Sequence, residues 1–224
     1  MLKPKKKFSK KDIKQDPFLE KVDKAEAYFE TNRQQIFQVI AALLVIFFGY
    51  QFISNSNETK NIEANSLLSQ ALVAIEKGDN DNAIVQFESL IQKYPNTDSE
   101  EIAYYYLGKT YFDQKIYSDA KTQLSLFAES SSVPALIPPT YIMLAEIALG
   151  ENLIEEAISL YTKAKSKSTL SHQKNELALY IAHLELFQGN SEKAQSIAQE
   201  IVNQEFASDK LKDSAKEILG KTNS

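Results

Sequence analysis

From Ile36 to Ile53 the chain reads IFQVIAALLVIFFGYQFI, 18 residues without an Asp, Glu, Lys or Arg. Apolar side chains fall on every side of a helix built from this run. After residue 60 the pattern changes to apolar positions recurring three and four apart, with polar faces between them. The chain thus predicts an all-α protein: one apolar helix over 34–55, then amphipathic helices over 60–206. A last helix over 207–224 carries Leu211, Ala215, Ile218 and Leu219 on one stripe with charges elsewhere.

At about 1.5 Å rise per residue the apolar run reaches roughly 27 Å, close to the hydrocarbon thickness of a bilayer. Gln38 and Gln51 lie near its ends, and Tyr50 suits the headgroup level. The alternative is a buried core helix, but the helices after residue 60 are striped whereas this run is apolar on every face. A cleaved signal peptide would place small residues where SNSNET stands. The run therefore reads as a single transmembrane helix. Ten Lys and Arg precede it in the tail 1–33, and Lys60 is the one that follows closely. This bias puts the N-terminus in the cytoplasm and residues 54–224 across the membrane, which in a bacterium means inner membrane and periplasm. The first eleven residues hold six Lys and no acid, which also suits anionic headgroups.

Four segments repeat an Ala with a second core position four residues on: Ala83 (DNAIVQF), Ala120 (SDAKTQL), Ala157 (EEAISLY) and Ala194 (EKAQSIA). Their spacings are 37, 37 and 37. The clearest copy holds Tyr104, Leu107, Gly108 and Tyr111, then Ala120, Leu124 and Phe127. This resembles the tetratricopeptide repeat, aromatic-x2-Leu-Gly-x2-Tyr followed by Ala-x3-Phe. Small residues at Ala71, Gly108, Ala145 and Ala182 let the two helices of a repeat approach closely. The longer period fits into turns such as YPNTDSEE (94–101) and SSSVPALIPP (130–139), and Asp98 with Glu101 reads as a capping box. The resemblance implies about four repeats over 60–206, stacked as a right-handed helical solenoid with 207–224 as its cap.

Charge and composition narrow the chemistry. The 224 residues sum to −5 and residues 1–33 to +4, which leaves −9 on 54–224 and argues against nucleic acid as partner. There is no Cys, hence no disulfide and no thiolate metal site or nucleophile. His172 and His183 stand eleven apart, about 16 Å along one helix, too far to share a metal. GDNDNA (78–83) fails as a calcium loop because Ala83 and Leu90 occupy ligand positions, and it reads as a polar turn. No G-x-S-x-G, P-loop or H-E-x-x-H motif occurs. The expectation is a non-enzyme with no cofactor, no metal and no small-molecule substrate.

By the repeat resemblance, the first helix of each repeat lines a groove. With repeats starting at Ala64, Glu101, Pro138 and Asn175, the fifth positions are Leu68, Tyr105, Ile142 and Leu179. The twelfth are Ile75, Phe112, Leu149 and Leu186, and Leu72 adds a ninth. These nine apolar residues form the expected peptide- or protein-binding groove, unless another segment or a second copy covers it. The other ninth positions, Lys109, Glu146 and His183, make no basic clamp for a carboxylate, so extended apolar segments fit better than acidic tails.

The layout of tail, span and repeats, with DPFLEKVDKAEAYFETNRQQIFQVIAALLVIF as its lead-in, resembles the bacterial ancillary subunit family of the SecYEG translocon. That resemblance implies a role beside the translocon, passing emerging envelope proteins to periplasmic chaperones. The alternative is a scaffold or adaptor for envelope assembly or division complexes, or a membrane-anchored regulator of an enzyme.

Overall fold

The computed structural model describes residues 17–205 and 207–222, apart from the side chains of 17–20, 23, 25, 36, 40 and 49–56. The described residues are helical: α1 (Pro17–Glu76), α2 (Asn80–Lys93), α3 (Asp98–Asp113), α4 (Tyr117–Ser130), a short 3₁₀ turn (Pro134–Leu136), α5 (Ile137–Gly150), α6 (Ile154–Lys167), α7 (Ser171–Phe187), α8 (Ser191–Asn203) and α9 (Asp209–Thr222). The chain divides into two units, residues 1–59 and 60–224.

In the first unit, Phe37, Val39 and Leu43 to Phe48 are exposed and apolar. Among the described residues no single helix is long and apolar enough to cross a membrane. Glu26–Gln35 and Phe37–Phe48, bent by 53° where they meet, pass that test together by length and composition. The side chains of Ile36, Ile40 and 49–53, part of the expected span, lie outside the described residues, as does the Lys-rich start 1–16.

The second unit stacks helix pairs. Residues 60–76 of α1 pair with α2, then α3 with α4, α5 with α6 and α7 with α8. Ala71, Ala145 and Ala182 are fully buried, as are Ala83, Ala120, Ala157 and Ala194 of the facing helices. At Gly108 the approach is closest: an added Cβ would lie 2.7 Å from Leu124 Cγ and 3.0 Å from its backbone nitrogen. Phe87, Leu90, Leu124 and Phe127 fill the space between pairs, all fully buried.

The turn within each pair recurs with the same 37-residue interval. Gly78, Lys115, Asn152 and Gly189 all have positive φ, at 75°, 64°, 60° and 82°. Each donates its N–H three residues back, and the next residue donates five back, as with Lys115 to Phe112 O and Ile116 to Tyr111 O. This is the Schellman ending of a helix. The residue after it, Asp79, Ile116, Leu153 or Asn190, is at once the N-cap of the second helix, accepting from the repeat's Ala four residues on. The GDNDNA segment is such a turn, with Asp79 Oδ1 accepting from the Asn82 N–H.

One expectation shifts. The N-cap of α3 is Thr97, whose Oγ1 accepts from the Glu100 N–H while Glu100 Oε2 accepts from the Asn96 N–H. The box thus sits one residue before Asp98 and Glu101, because a hydroxyl closes the turn that Asn96, at φ 62°, has already bent. Glu101 is freed for a longer reach: its carboxylate accepts from Ser131 Oγ and from the Ser132 N–H, both at 2.5 Å, fastening the 131–133 loop to the start of α3. Burial works to raise the Glu101 pKa, and the Ser131 and Ser132 hydrogen bonds overcome it and hold the carboxyl below its usual range.

Two substitutions test this geometry by thermal or urea unfolding. Gly108→Ala is expected to destabilise by about 1–3 kcal/mol, since Leu124 backbone as well as side chain must move. Lys115→Gly, relieving a left-handed lysine, is expected to stabilise by about 0.5–1 kcal/mol.

Candidate functional site

The first helices of successive repeats present the surface on which a groove was expected, and the structure sorts its residues by depth. Leu68 and Tyr105 are buried, at 9% and 7% exposure, and belong to the cores. Leu68 packs in the cluster of Ala71, Phe87 and Leu90. Tyr105 is enclosed by Tyr106 at 5.1 Å and Phe127 at 5.5 Å, and burial pushes its pKa up. These two fifth-position residues support the solenoid and do not line an open groove. Their neighbours are the reason: Tyr105 shares a core cluster with Phe127, Met143 and Ile147, and burial there removes its apolar ring from water.

Leu72 and Ile75, Phe112, Ile142 and Leu149, and Leu179 and Leu186 are half-buried, each leaning on a core cluster. Phe112 meets Tyr117 edge-on, with centroids 5.8 Å apart. They form the floor of the first-helix face.

What stands out from that face belongs to neighbouring positions. On α7 the exposed stripe is His172, Glu176, Tyr180, His183 and Phe187, with Tyr180 58% and Phe187 77% exposed. The spacing of four, four, three and four keeps them on one side of the helix. His172 Nε2 lies 3.3 Å from Glu176 Oε1. A cleft of about 280 Å³ opens between α7 and α9, lined among others by His172, Glu176, Leu179, Tyr180, His183 and Leu211. The two histidines thus share a cleft wall. Among the described residues no group of three or more His, Asp or Glu could hold a metal ion.

The sixth positions, Tyr106 and Tyr180, explain how aromatic rings reach this face. Tyr106 stacks on Phe87 of α2 at 6.2 Å and 9° between planes. Tyr180 stacks on Tyr161 of α6 at 5.7 Å and 11°. At the seam between them Leu124 and Met143 occupy the equivalent places in one core cluster. Sequence periodicity alone leaves the sixth position unassigned, although the aromatic at Phe87 and Tyr161 signals the partner it needs.

Electrostatics distinguish the middle of the face. Burial raises the pKa of Tyr161 to about 12, with the nearby Glu146 carboxylate and Tyr180 adding to it. Burial raises that of Glu146 as well. The neighbouring first helix balances its charge: Lys109 Nζ donates to Asp113 Oδ2 at 2.6 Å. The buried Glu185 of α7 accepts from Asn190 Nδ2 at 2.7 Å and has Lys193 Nζ at 3.5 Å.

A family model described as a tetratricopeptide repeat-like domain matches residues 26–178. The chain belongs to that family. The matched stretch takes in the apolar run as well as the first three repeats and ends within α7. Two crystal structures of MamA are similar to this tetratricopeptide repeat-like chain. One has a TM-score of 0.50 at 19% identity, covering 68% of this chain and 92% of that one. The other has a TM-score of 0.51 at 18% identity, covering 71% and 89%. At that identity the likeness is one of fold. No curated protein matches the sequence. The repeat domain is a protein-interaction module of the tetratricopeptide type, a class that presents stacked helix faces to partners.

The sign of the Glu146 shift yields a check. A carboxyl with a raised folded pKa is a cost that appears as pH rises above its unfolded value near 4.5. Glu146→Gln is therefore expected to raise the melting temperature at pH 7 by a small amount, under about 1 kcal/mol for a group this exposed. At pH 4 variant and parent should melt together.

Proposed function

We propose that this chain is a membrane-tethered protein-interaction scaffold, with residues 36–53 as its single span and the repeat domain on the extracytoplasmic side. The observation that carries the reading is that Phe37, Val39 and Leu43 to Phe48 are large apolar residues and exposed. A run of that size on a protein surface calls for a lipid or protein environment. The Lys and Arg bias of the tail supports the cytoplasmic placement of the N-terminus, and the acidic repeat domain carries no comparable barrier to translocation.

Within this reading, the specific role is assistance to the translocon: the span stands beside it, and the repeats hold emerging envelope proteins for transfer to periplasmic chaperones. Its support is the resemblance in layout of tail, anchor and repeats. The half-buried apolar floor of the first-helix face supports it too, since it suits extended segments better than charged ones.

The absence of Cys makes topology directly measurable. Single cysteines are placed at Ser9 and at Thr162 of the full chain in cells and probed with a membrane-impermeant maleimide. The expected result is labelling of the Thr162 variant from the extracytoplasmic side and of the Ser9 variant only after the membrane is permeabilised. Labelling in the opposite order, or recovery of the chain in the soluble fraction, would overturn the proposal.

A further inference from the structure

The 37-residue period that packs the repeats is broken at two places on the cleft between α7 and α9. α9 follows as a further first helix of the series, so its residues have counterparts in the repeats before it. Leu177 of α7 is 3% exposed and lies buried with Ala145 of α5 and Tyr161 of α6. Its counterpart on α9, 37 residues on, is Ser214, which lines the cleft. A hydroxymethyl group where the repeat before has an isobutyl group leaves apolar space unfilled. The second break is Tyr180. Its counterpart Met143 is buried in a core cluster, whereas Tyr180 stacks on Tyr161 and stays exposed.

These two departures leave a hollow of about 280 Å³ with an apolar floor and rings along its rim. Leu179 is half-buried and Leu211 buried, and His172, Tyr180 and His183 stand along the α7 side. The volume falls just short of sites that take whole small molecules and suits one large side chain. Tyr161 covers one face of the Tyr180 ring, which leaves the other face and the two imidazoles to an incoming group. A ring entering there gains offset or edge-on contacts that an aliphatic side chain does not. A second cavity of about 350 Å³ adjoins the first and shares His172, Ser208 and Leu211 with it. Ser171, Asn175 and Gln204 also line this second cavity, and their hydroxyl and amide groups can both donate and accept. An apolar hollow continued by a polar trough is what an extended chain needs: one anchor inside, with its main-chain N–H and C=O groups satisfied alongside.

The geometry points to an aromatic-anchor site between α7 and α9, by which the repeat domain takes an extended segment of a partner protein through one phenylalanine, tyrosine or tryptophan side chain. This inference rests on the interaction role proposed above and names the side chain that role recognises.

The test uses the full chain in detergent micelles and an octapeptide of serine and asparagine with one central tryptophan. The chain has no Trp, so the emission belongs to the peptide alone. The parent is expected to shift that emission to shorter wavelength along a saturable curve. A competing peptide with phenylalanine at the centre should act about threefold more strongly than one with leucine, and about tenfold more strongly than one with alanine. Ser214→Leu, which restores the residue the period has at Leu177, should fill the hollow and abolish the shift while melting at or above the parent. Tyr180→Met, which restores the counterpart Met143, should weaken binding about tenfold. Ser196→Leu, exposed on α8, should bind as the parent does. Parent-like binding by Ser214→Leu and Tyr180→Met would overturn the cleft and leave the interaction role standing. Equal competition by phenylalanine and leucine, or equal loss in Ser196→Leu, would also overturn it. No saturable shift with the parent would overturn the site, and the interaction role would fall with it only if Tyr180 and Phe187 also gave no protein adducts in cells.

Discussion

The repeat domain depends on how closely two helices of one pair can lie. Ala71, Gly108, Ala145 and Ala182 on the first helices meet second helices entered at Ala83, Ala120, Ala157 and Ala194, and each of the seven alanines is fully buried. Any larger side chain at these points would push the pair apart and carry the seam with the next pair along. The Schellman turns at Gly78, Lys115, Asn152 and Gly189 complete the constraint, since their backbone bonds fix where the second helix starts. With every pair closed by the same small contacts and the same turn, the 37-residue period places each first helix alike, and the neighbour that a residue meets decides its depth. That is why one side of every first helix is free to act as a surface.

Much of this was legible because packing and period share a cause. The Ala and Gly positions announce themselves at equal spacing, and from them follow the helix pairs and the repeat family. Leu211, Ala215 and Ile218 likewise lie buried on α9. Less legible were features decided by a single neighbour. Thr97 and Asp98 are both good N-caps, and the bend at Asn96 selects the first. Nothing about Lys115 signals a left-handed residue; its Gly and Asn counterparts show the turn by their spacing.

The expected groove illustrates the same division. A row of apolar residues at the fifth and twelfth positions was visible in sequence, but whether each faces out depends on which neighbours it meets. Tyr105 found Phe127 and Tyr106 and went inside, whereas Phe112 stayed half-exposed beside Tyr117. Conversely Tyr180 is held outward by stacking on Tyr161, a relation between residues on different helices. The resulting face has an apolar floor with an aromatic and charged edge.

The central question for the repeat domain is whether its first-helix face meets proteins. In-cell photo-crosslinking from Tyr180 and Phe187, with Val85 of α2 as an exposed comparison, measures this directly. Protein adducts are expected at Tyr180 and Phe187, comprising unfolded envelope proteins and periplasmic chaperones, and few at Val85. Adducts concentrated at Val85, with none at Tyr180 or Phe187, would contradict it and move the interaction to the second helices.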